Sequence, residues 1–349
     1  MANTIDRRFE CGSVILSLDT EQIWGYIDMF SIGAFQARFP AALEMHEKLL
    51  RCMCQANIGA TWFVVGGMTL PASAGGAHDP RFAGLPQDWI ARIPAGSEAT
   101  QPYWFRPSFV DMLSRARPYQ EIGLHGGLTH WIWTAPGATR EVAARELSEG
   151  IRALQQSCVL PRSFSYCREC EDFYDLLPAH GIRAYRGRTV TLGHRLGSTM
   201  RGVAVRLFDE VRRATPPVVW PAETMPGLWN VPASMFLYPI SPSRTRVTGM
   251  RSRLTRFQRG VEAAARHRGL FQYAFHPENL TEAPGGLALF EDLIECLARA
   301  RDRGDVEVLT ISGMVDRLEK TRAVSLEENQ SNATRKQPTD SRLSAVDRS

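Results

Sequence analysis

Short apolar runs alternate along the chain with longer stretches whose apolar residues recur at helical spacing. The runs predict buried strands at 13–18, 60–65, 121–124, 163–166, 271–275 and 306–309. The longer stretches predict helices near 41–56, 107–117, 139–156, 171–180 and 287–297, with a final helix after the last strand. Strands that alternate with helices favour parallel βα units. About six such units in roughly 300 residues favour an α/β fold with a closed or distorted barrel over a small open sheet.

Three segments lack a clear period. Residues 71–104 are rich in Gly, Pro and Ala and predict a long surface excursion, and residues 186–230 predict loops or extra elements at the barrel rim. From residue 321 the chain has few apolar residues and many polar ones, which is typical of disorder. We therefore predict a barrel domain of residues 10–320 and a disordered C-terminal tail of residues 321–349.

Composition excludes several classes of protein. The chain has 349 residues, 44% of them hydrophobic and 22% charged, as in a globular protein. It contains no apolar run long enough for a membrane span, and its first residues lack the apolar core of a secretory signal, so we expect a cytoplasmic protein. The net charge of +4 is spread over the whole chain, and we expect no nucleic-acid partner. The sequence leaves the oligomeric state open.

The cysteines predict reduced thiols. There are seven, an odd number, in a chain for which we expect no export. Cys167 and Cys170 form the one Cys-x-x-Cys pair, between a predicted strand and a predicted helix. A thioredoxin-like redox site is one interpretation of this pair and a zinc site is another, but ordinary packing of two thiols explains it more simply.

The ends of predicted strands carry side chains that can do chemistry. In parallel βα folds the carboxyl ends of the strands share one cleft. The titratable residues at these ends are Asp19 and Glu21, His125 and His130, Arg168, and His276. Two imidazoles and a carboxylate are a usual set of ligands for a catalytic zinc or similar divalent ion. A second carboxylate, a further histidine and an arginine would suit amide hydrolysis.

Each of these residues also has an ordinary structural explanation. Asp19 or Glu21 could cap a helix or lie in a solvated turn, and the histidines could occur by chance in a glycine-rich turn. Arg168 could be one surface arginine among many. Chance is a weaker explanation for the whole set, because all of these residues would have to occur on one face of the barrel by accident.

Several motifs follow one another in order. They are Ser17-Leu-Asp-Thr-Glu-x-x-Trp-Gly25, Ala60-Thr-Trp-Phe-Val-Val-Gly66, Glu121-Ile-Gly-Leu-His125 with Thr129-His130, Gly181-Ile-Arg-Ala-Tyr-Arg-Gly187, His276-Pro-Glu-Asn-Leu280 and Val308-Leu-Thr-Ile-Ser312. This order resembles the polysaccharide deacetylases, also called carbohydrate esterase family 4 or the NodB-homology group. The resemblance covers roughly residues 12–318. It implies a distorted (β/α)7-type barrel and the metal-dependent removal of an acetyl group from an N-acetylated sugar.

The resemblance also implies roles for individual residues. Asp19 matches the family's catalytic base and His276 its general acid, and Arg168 is the candidate for the arginine that orients the base. The metal ligands would be Glu21, His125 and His130. The metal would be a divalent ion, with zinc as the first expectation and nickel, cobalt or iron as alternatives.

Two features differ from the family pattern. Four residues separate His125 from His130, where the family has three, and Gly126 and Gly127 would let the backbone bulge to absorb the extra residue. The family arginine usually stands next to proline, whereas Arg168 stands between Cys167 and Glu169.

We therefore predict a hydrolase of a non-peptide amide C–N bond that deacetylates an acetamido-sugar or a polysaccharide precursor. The partner expected is thus a small molecule or a carbohydrate. The alternatives are a hydrolase of a small cyclic or ureide amide, a catalytically inactive carbohydrate-binding homologue, and thiol redox chemistry at Cys167 and Cys170.

Overall fold

The computed structural model describes residues 9–240 and 242–335. Its strands are β1 (Gly12–Thr20), β2 (Thr61–Val64), β3 (Ala72–Ala74), β4 (Ala95–Ser97), β5 (Glu121–His125), β6 (Ser163–Ser165), β7 (Ala184–Gly187), β8 (Ala222–Met225), β9 (Leu228–Pro232), β10 (Met235–Leu237), β11 (Leu270–Phe275) and β12 (Val306–Val308). Its α-helices are α1 (Ile32–Arg38), α2 (Ala42–Gln55), α3 (Gln87–Ile90), α4 (Pro107–Arg115), α5 (Arg140–Gln156), α6 (Leu176–Ala179), α7 (Leu192–Arg195), α8 (Met200–Val211), α9 (Pro242–Thr248), α10 (Met250–His267), α11 (Gly286–Asp302) and α12 (Ile311–Arg335).

One strongly curled sheet organises the protein. Its strands are hydrogen-bonded in the order β10-β11-β1-β2-β5-β6-β7-β9-β8, and β12 adds to β1. Every neighbouring pair from β10 to β9 is parallel, and only β8 runs antiparallel to its neighbour. A curled parallel sheet covered by helices is a half-barrel, which confirms the distorted α/β barrel predicted from the sequence.

The central strand β1 is buried on both faces. Val14, Leu16 and Leu18 belong to the apolar core that includes the apolar faces of the surrounding helices. Ile15, on the opposite face, belongs to a second cluster with residues of four other strands, which can meet only inside the curl. Because side chains alternate along a strand, Asp19 lies on the same inner face as Ile15. The strand therefore carries a carboxylate into the interior at its carboxyl end.

The first turns of α12 fill the other end of the interior. Ile311, Met314 and Val315 are buried in the same cluster as Ile15. The Ser312 backbone N–H and hydroxyl and the Thr61 hydroxyl donate to the buried carboxylate of Glu121. Apolar side chains therefore fill the interior at the amino end of the strands. The polar side chains of the candidate site lie at the carboxyl end.

The structure confirms the six predicted strands and most of the predicted helices. It corrects the helix predicted at 171–180, where only Leu176–Ala179 is helical. Residues 71–104 are less superficial than expected, because they bury Phe82, Trp89 and Trp104. Residues 186–230 contain the helices α7 and α8 and the strands β8 and β9, and the long helix α10 was not predicted.

The last helix passes the predicted domain boundary. α12 continues to Arg335, so residues 321–335 are helical and not part of a disordered tail. This segment has few apolar residues but many good helix formers, including Glu, Leu, Arg and Gln, and it extends a helix already anchored in the core. Residues 336–349, the rest of the predicted tail, lie outside the described residues.

Candidate active site

Four parallel strands bring their carboxyl ends to one place. Asp19 lies at the end of β1 with Glu21 just beyond it, His125 ends β5, Arg186 lies in β7, and His276 follows β11. Since the strands are parallel, these side chains converge at one end of the curl. The convergence predicted for Asp19, Glu21, the two histidines and His276 is present.

Glu21, His125 and His130 form a tight buried cluster. Oε2 of Glu21 lies 2.8 Å from Nε2 of His125 and 2.9 Å from Nε2 of His130, and the two Nε2 atoms lie 3.2 Å apart. All three side chains are at most 4% exposed. A carboxylate oxygen and two ring nitrogens of three side chains thus face one point.

The backbone of β6 orients His125. Nδ1 of His125 lies 2.9 Å from the carbonyl oxygen of Ser165, and this carbonyl can only accept, so the proton belongs on Nδ1. In the neutral ring Nε2 is then the nitrogen left to bind a metal, next to Glu21 and His130. Metal-bound histidines commonly hold their second nitrogen in this way.

The loop between the two histidines absorbs its extra residue by a glycine bulge. Gly126 has φ +72°, a conformation that favours glycine. The loop is then held by backbone hydrogen bonds: Gly66 and Gly67 donate to the carbonyls of Gly127 and Leu128 at 2.8 and 2.6 Å. The five-residue step therefore returns His130 to the side of His125, as the two glycines predicted.

Glu146 of α5 holds the loop between His125 and His130 by hydrogen bonds. Its buried Oε2 accepts hydrogen bonds from the backbone N–H of Thr129 at 2.8 Å and from the Thr129 hydroxyl at 3.0 Å. Its main-chain carbonyl accepts from Leu128 at 2.9 Å. Burial raises the pKa of the Glu146 carboxyl to about 7. One glutamate thus fixes the residue next to His130.

The arginine beside Asp19 is Arg186, not Arg168. Nη2 of Arg186 donates to Oδ2 of Asp19 at 2.7 Å, and both side chains are almost fully buried. Arg168 instead forms a half-exposed ion pair with Asp28 at 2.5 Å. The reason is topological: the side chain of Arg186 leaves β7 and lies over the Phe63 ring inside the curl, whereas Arg168 lies in the turn after β6.

His276 links the two carboxylates. Its Nε2 lies 3.5 Å from Oδ2 of Asp19 and 3.2 Å from Oε1 of Glu21. Its side chain is 22% exposed, whereas those of Asp19 and Glu21 are 4% exposed. Solvent and a substrate would therefore approach the cluster from the side of His276.

The charges in the cluster are strongly interdependent. Burial alone would raise the pKa of Asp19, but Arg186 and the neighbouring histidines hold it below its usual value. Burial also opposes ionisation of Glu21, yet His276 and His130 hold its pKa well below the usual range. Burial lowers the pKa of His130, whereas Asp19 and Glu21 outweigh burial at His125 and raise the pKa there. Both carboxylates are therefore ionised at neutral pH.

The donor set fits a divalent cation. Three buried nitrogen and oxygen donors that face one point are a usual set of protein ligands for a catalytic zinc, which keeps a further position open. The buried Sγ of Cys167 adds a fourth candidate, because its sulfur and ring nitrogens of His125 and His130 lie within 4.8 Å of one another. From the sequence, packing was the preferred explanation of Cys167, with a redox or zinc site formed together with Cys170 as the alternatives. Burial raises its pKa well above the usual value, which disfavours a reactive thiolate.

Sequence reasoning missed two further neighbours of the cluster besides Arg186. Glu278 is completely buried two residues after His276, and burial raises the pKa of its carboxyl well above the usual range. The Tyr26 ring stands 6.2 Å from the His276 ring and at 65° to it. Glu278 lies in the motif His276–Leu280, from which only His276 was predicted as a site residue. Arg186 lies in the motif Gly181–Gly187, which served only as part of the resemblance to the family.

Comparisons with known proteins show the fold. No protein-family model matches the sequence, and no curated protein sequence does. Solved structures do match: a protein from Mycobacterium smegmatis assigned as a polysaccharide deacetylase has a TM-score of 0.55 at 18% identity, over 90% of this chain and 91% of that one. A protein from Pseudomonas aeruginosa PAO1 with the same assignment has a TM-score of 0.55 at 10% identity, over 86% and 89%. This chain has the polysaccharide deacetylase fold.

The deacetylase fold does not decide the reaction by itself. A 4-alpha-glucanotransferase from Thermococcus litoralis also matches, with a TM-score of 0.52 at 12% identity over 88% of this chain and 40% of that one. Folds host several chemistries, and function has to be argued from the site.

Among the described residues, no helix has the length and apolar character required to cross a bilayer.

The first prediction concerns Glu146 and pH. Because its folded pKa lies near 7 and the usual value is 4.5, the unfolded chain ionises first as pH rises. The free energy of unfolding should therefore fall by roughly 3 kcal/mol between about pH 4 and pH 8 through this group. In Glu146→Gln this component should vanish, as urea unfolding at several pH values would measure. Identical pH slopes in both proteins would contradict the buried-carboxyl assignment.

The second prediction concerns metal affinity. Glu21→Gln and His130→Ala should each weaken zinc binding at least about 100-fold, since even outer-sphere partners of a metal contribute about 10- to 100-fold. His180→Ala is the matched control, because His180 lies at the end of α6 and contacts Ser148. Isothermal titration of the metal-free protein would measure all three. Equal affinity in wild type and His130→Ala would remove His130 from the site.

Proposed function

We propose that the protein is a metal-dependent hydrolase of a non-peptide amide bond that deacetylates an acetamido-sugar or a polysaccharide precursor. The observation that carries the proposal is the convergence of Glu21, His125 and His130 beside the Asp19–Arg186 pair. These three side chains would hold the metal, with Cys167 close enough to join them. A divalent ion in such a site lowers the pKa of water and polarises a carbonyl.

Asp19 would act as the base. Its Oδ2 is held by Arg186, while its buried Oδ1 has no hydrogen-bond partner among the described residues. The free oxygen can take the proton of a water that attacks the amide carbon. Arg186 keeps the carboxylate ionised before the step and oriented during it.

His276 would act as the acid. Nε2 lies within 3.5 Å of both carboxylates, and its ring is the most accessible of the cluster. From this position His276 can donate a proton to the amine as the C–N bond breaks. The Phe236 and Tyr26 rings, 5.2 and 6.2 Å from the His276 ring, restrict its movement.

A cavity of about 460 Å³ lies along the segment that directly follows Tyr26. Its walls combine apolar and polar groups and include Phe30, Trp104, Gln101 and Arg92, but not the residues of the cluster. The solved structures assigned as polysaccharide deacetylases support a sugar as the substrate.

A substrate panel would test the proposal. The zinc-loaded protein should release acetate from acetamido-sugars and leave cyclic and ureide amides unchanged. Hydrolysis of the cyclic amides alone would favour a small non-sugar amide as the substrate. Metal binding without turnover of any compound, together with saturable sugar binding, would favour an inactive carbohydrate-binding protein.

The third prediction separates the base from the metal ligands. Asp19→Asn should lower acetate release by about 100- to 10,000-fold, the usual contribution of a general base. Its metal content should stay near wild type, because Asp19 is not among the proposed ligands. Asp111→Asn, which changes an exposed carboxylate on α4, is the control and should keep full activity. Turnover retained in Asp19→Asn would remove Asp19 from its role.

The fourth prediction compares the two arginines. Arg186→Gln removes the cation beside Asp19, so the pKa of Asp19 should rise and the acidic limb of the pH–kcat profile should move up by about one pH unit or more. Arg168→Gln should leave that limb in place, since Arg168 pairs with Asp28. Circular dichroism would check that both variants fold. A shift in Arg168→Gln alone would reverse the assignment.

A further inference from the structure

Helix α8 turns its apolar side outwards. Met200 is 88% exposed, Phe208 57%, Val211 55% and Val203 49%. At 100° per residue these side chains, with Ala204 and Leu207, fall on one face of the helix. Surface helices ordinarily turn this face to the core and their charged face to water.

Polar contacts hold α8 in this orientation. Nη1 of Arg206 donates to the carbonyls of Gly193 and Gly197, each at 2.7 Å, and the Arg206 guanidinium lies 4.7 Å from the Tyr238 ring. Glu210 is buried, with Oε2 3.9 Å from Nη2 of Arg253. Gly202 is also buried, so close to the Gly197 carbonyl that a Cβ would stand 2.4 Å from it. The apolar face cannot turn inwards without breaking these contacts.

The two helices that pack beside α8 also carry exposed apolar residues. α8 packs against both α7 and α9. Leu192 of α7 and Val247 of α9 are each 60% exposed. We call the exposed apolar side chains of α8, α7 and α9 the α8 face. Apolar surface of this kind, gathered on adjoining elements, marks an interaction site more often than scattered exposed residues do.

The charges around the α8 face are cationic. At the same helical spacing Arg201 and the C-cap residue Arg212 border one side of the apolar side chains, and Arg195 and Arg213 are exposed shortly before and after α8. The Arg212 guanidinium lies 5.0 Å from the Phe208 ring, at the edge of the face. The only acidic residues of α8 are Asp209, which is half-buried, and Glu210, which is buried. Apolar side chains bordered by arginine are typical of helices that lie in the interface of an anionic membrane.

We propose that α8 is an interfacial helix that docks the protein on an anionic lipid surface. A second copy of this chain fits less well, because a two-fold contact between α8 faces would bring arginines against arginines. The helix lies at the end of the sheet that carries the candidate active site: His194 of α7 contacts Tyr238, and the Phe236 ring lies against His276. The proposal does not depend on the proposed catalysis.

Vesicle binding tests the apolar part of the surface. The full chain should sediment with vesicles of phosphatidylcholine and phosphatidylglycerol and much less with phosphatidylcholine alone. Met200→Asp/Phe208→Asp should bind at least about 10-fold more weakly, since each substitution removes buried apolar area and adds repulsion. Leu160→Asp is the control, because Leu160 is 73% exposed but precedes β6, at the opposite end of the sheet. It should bind as wild type does.

A separate variant tests the contribution of the arginines to vesicle binding. Arg201→Gln/Arg212→Gln should weaken binding to the anionic vesicles by about 10-fold or more, and added salt should reduce the difference. Thermal unfolding would check that every variant is folded. Failure of the wild type to sediment, or equal binding by Met200→Asp/Phe208→Asp, would overturn the proposal. A wild-type dimer without lipid that this variant converts to monomer would assign the face to a second copy instead.

Discussion

A buried carboxylate requires positive charge beside it, and the side chains at the carboxyl end of the sheet are arranged to meet that requirement. Asp19 and Glu21 are both almost fully buried at the end of β1, where an isolated carboxylate would be strongly destabilised. Asp19 is balanced by Arg186. Glu21 lies within 3.2 Å of the imidazoles of His125, His130 and His276. A bound divalent cation would balance this second carboxylate while the imidazoles that bind it stay neutral, and this connects the fold to its proposed chemistry.

The curled parallel sheet makes such a cluster possible. The site residues lie on or beside the four strands β1, β5, β7 and β11, and the packed interior at the amino end of the sheet, closed by α12, keeps those strands at fixed distances. The loop from His125 to His130 is held by the glycines after β2 and by Glu146 of α5. Side chains that must meet to within a few tenths of an ångström are therefore supported by elements far from them in sequence, as preorganised sites require.

The sequence predicted six of the twelve strands in the described residues, and most of the side chains that converge at the site, for a physical reason. Buried strands are continuous apolar runs, and polar residues at their ends stand out against them, which identified Asp19, Glu21, His125, His130 and His276. The arginine was harder, because Arg186 lies inside a short strand and Arg168 follows a more obvious one. The outward apolar face of α8 was also missed. Its pattern is amphipathic, but sequence alone does not tell which side of a helix meets the protein.

The central claim is that one cation lies among Glu21, His125 and His130. X-ray absorption at the zinc edge, on protein carrying one equivalent of zinc, measures the atoms around the metal directly. The account predicts two imidazoles and at least one carboxylate oxygen at about 2.0–2.2 Å, with a sulfur at about 2.3 Å if Cys167 joins them. A spectrum without imidazole scattering, or a coordination shell of sulfur alone, would contradict it.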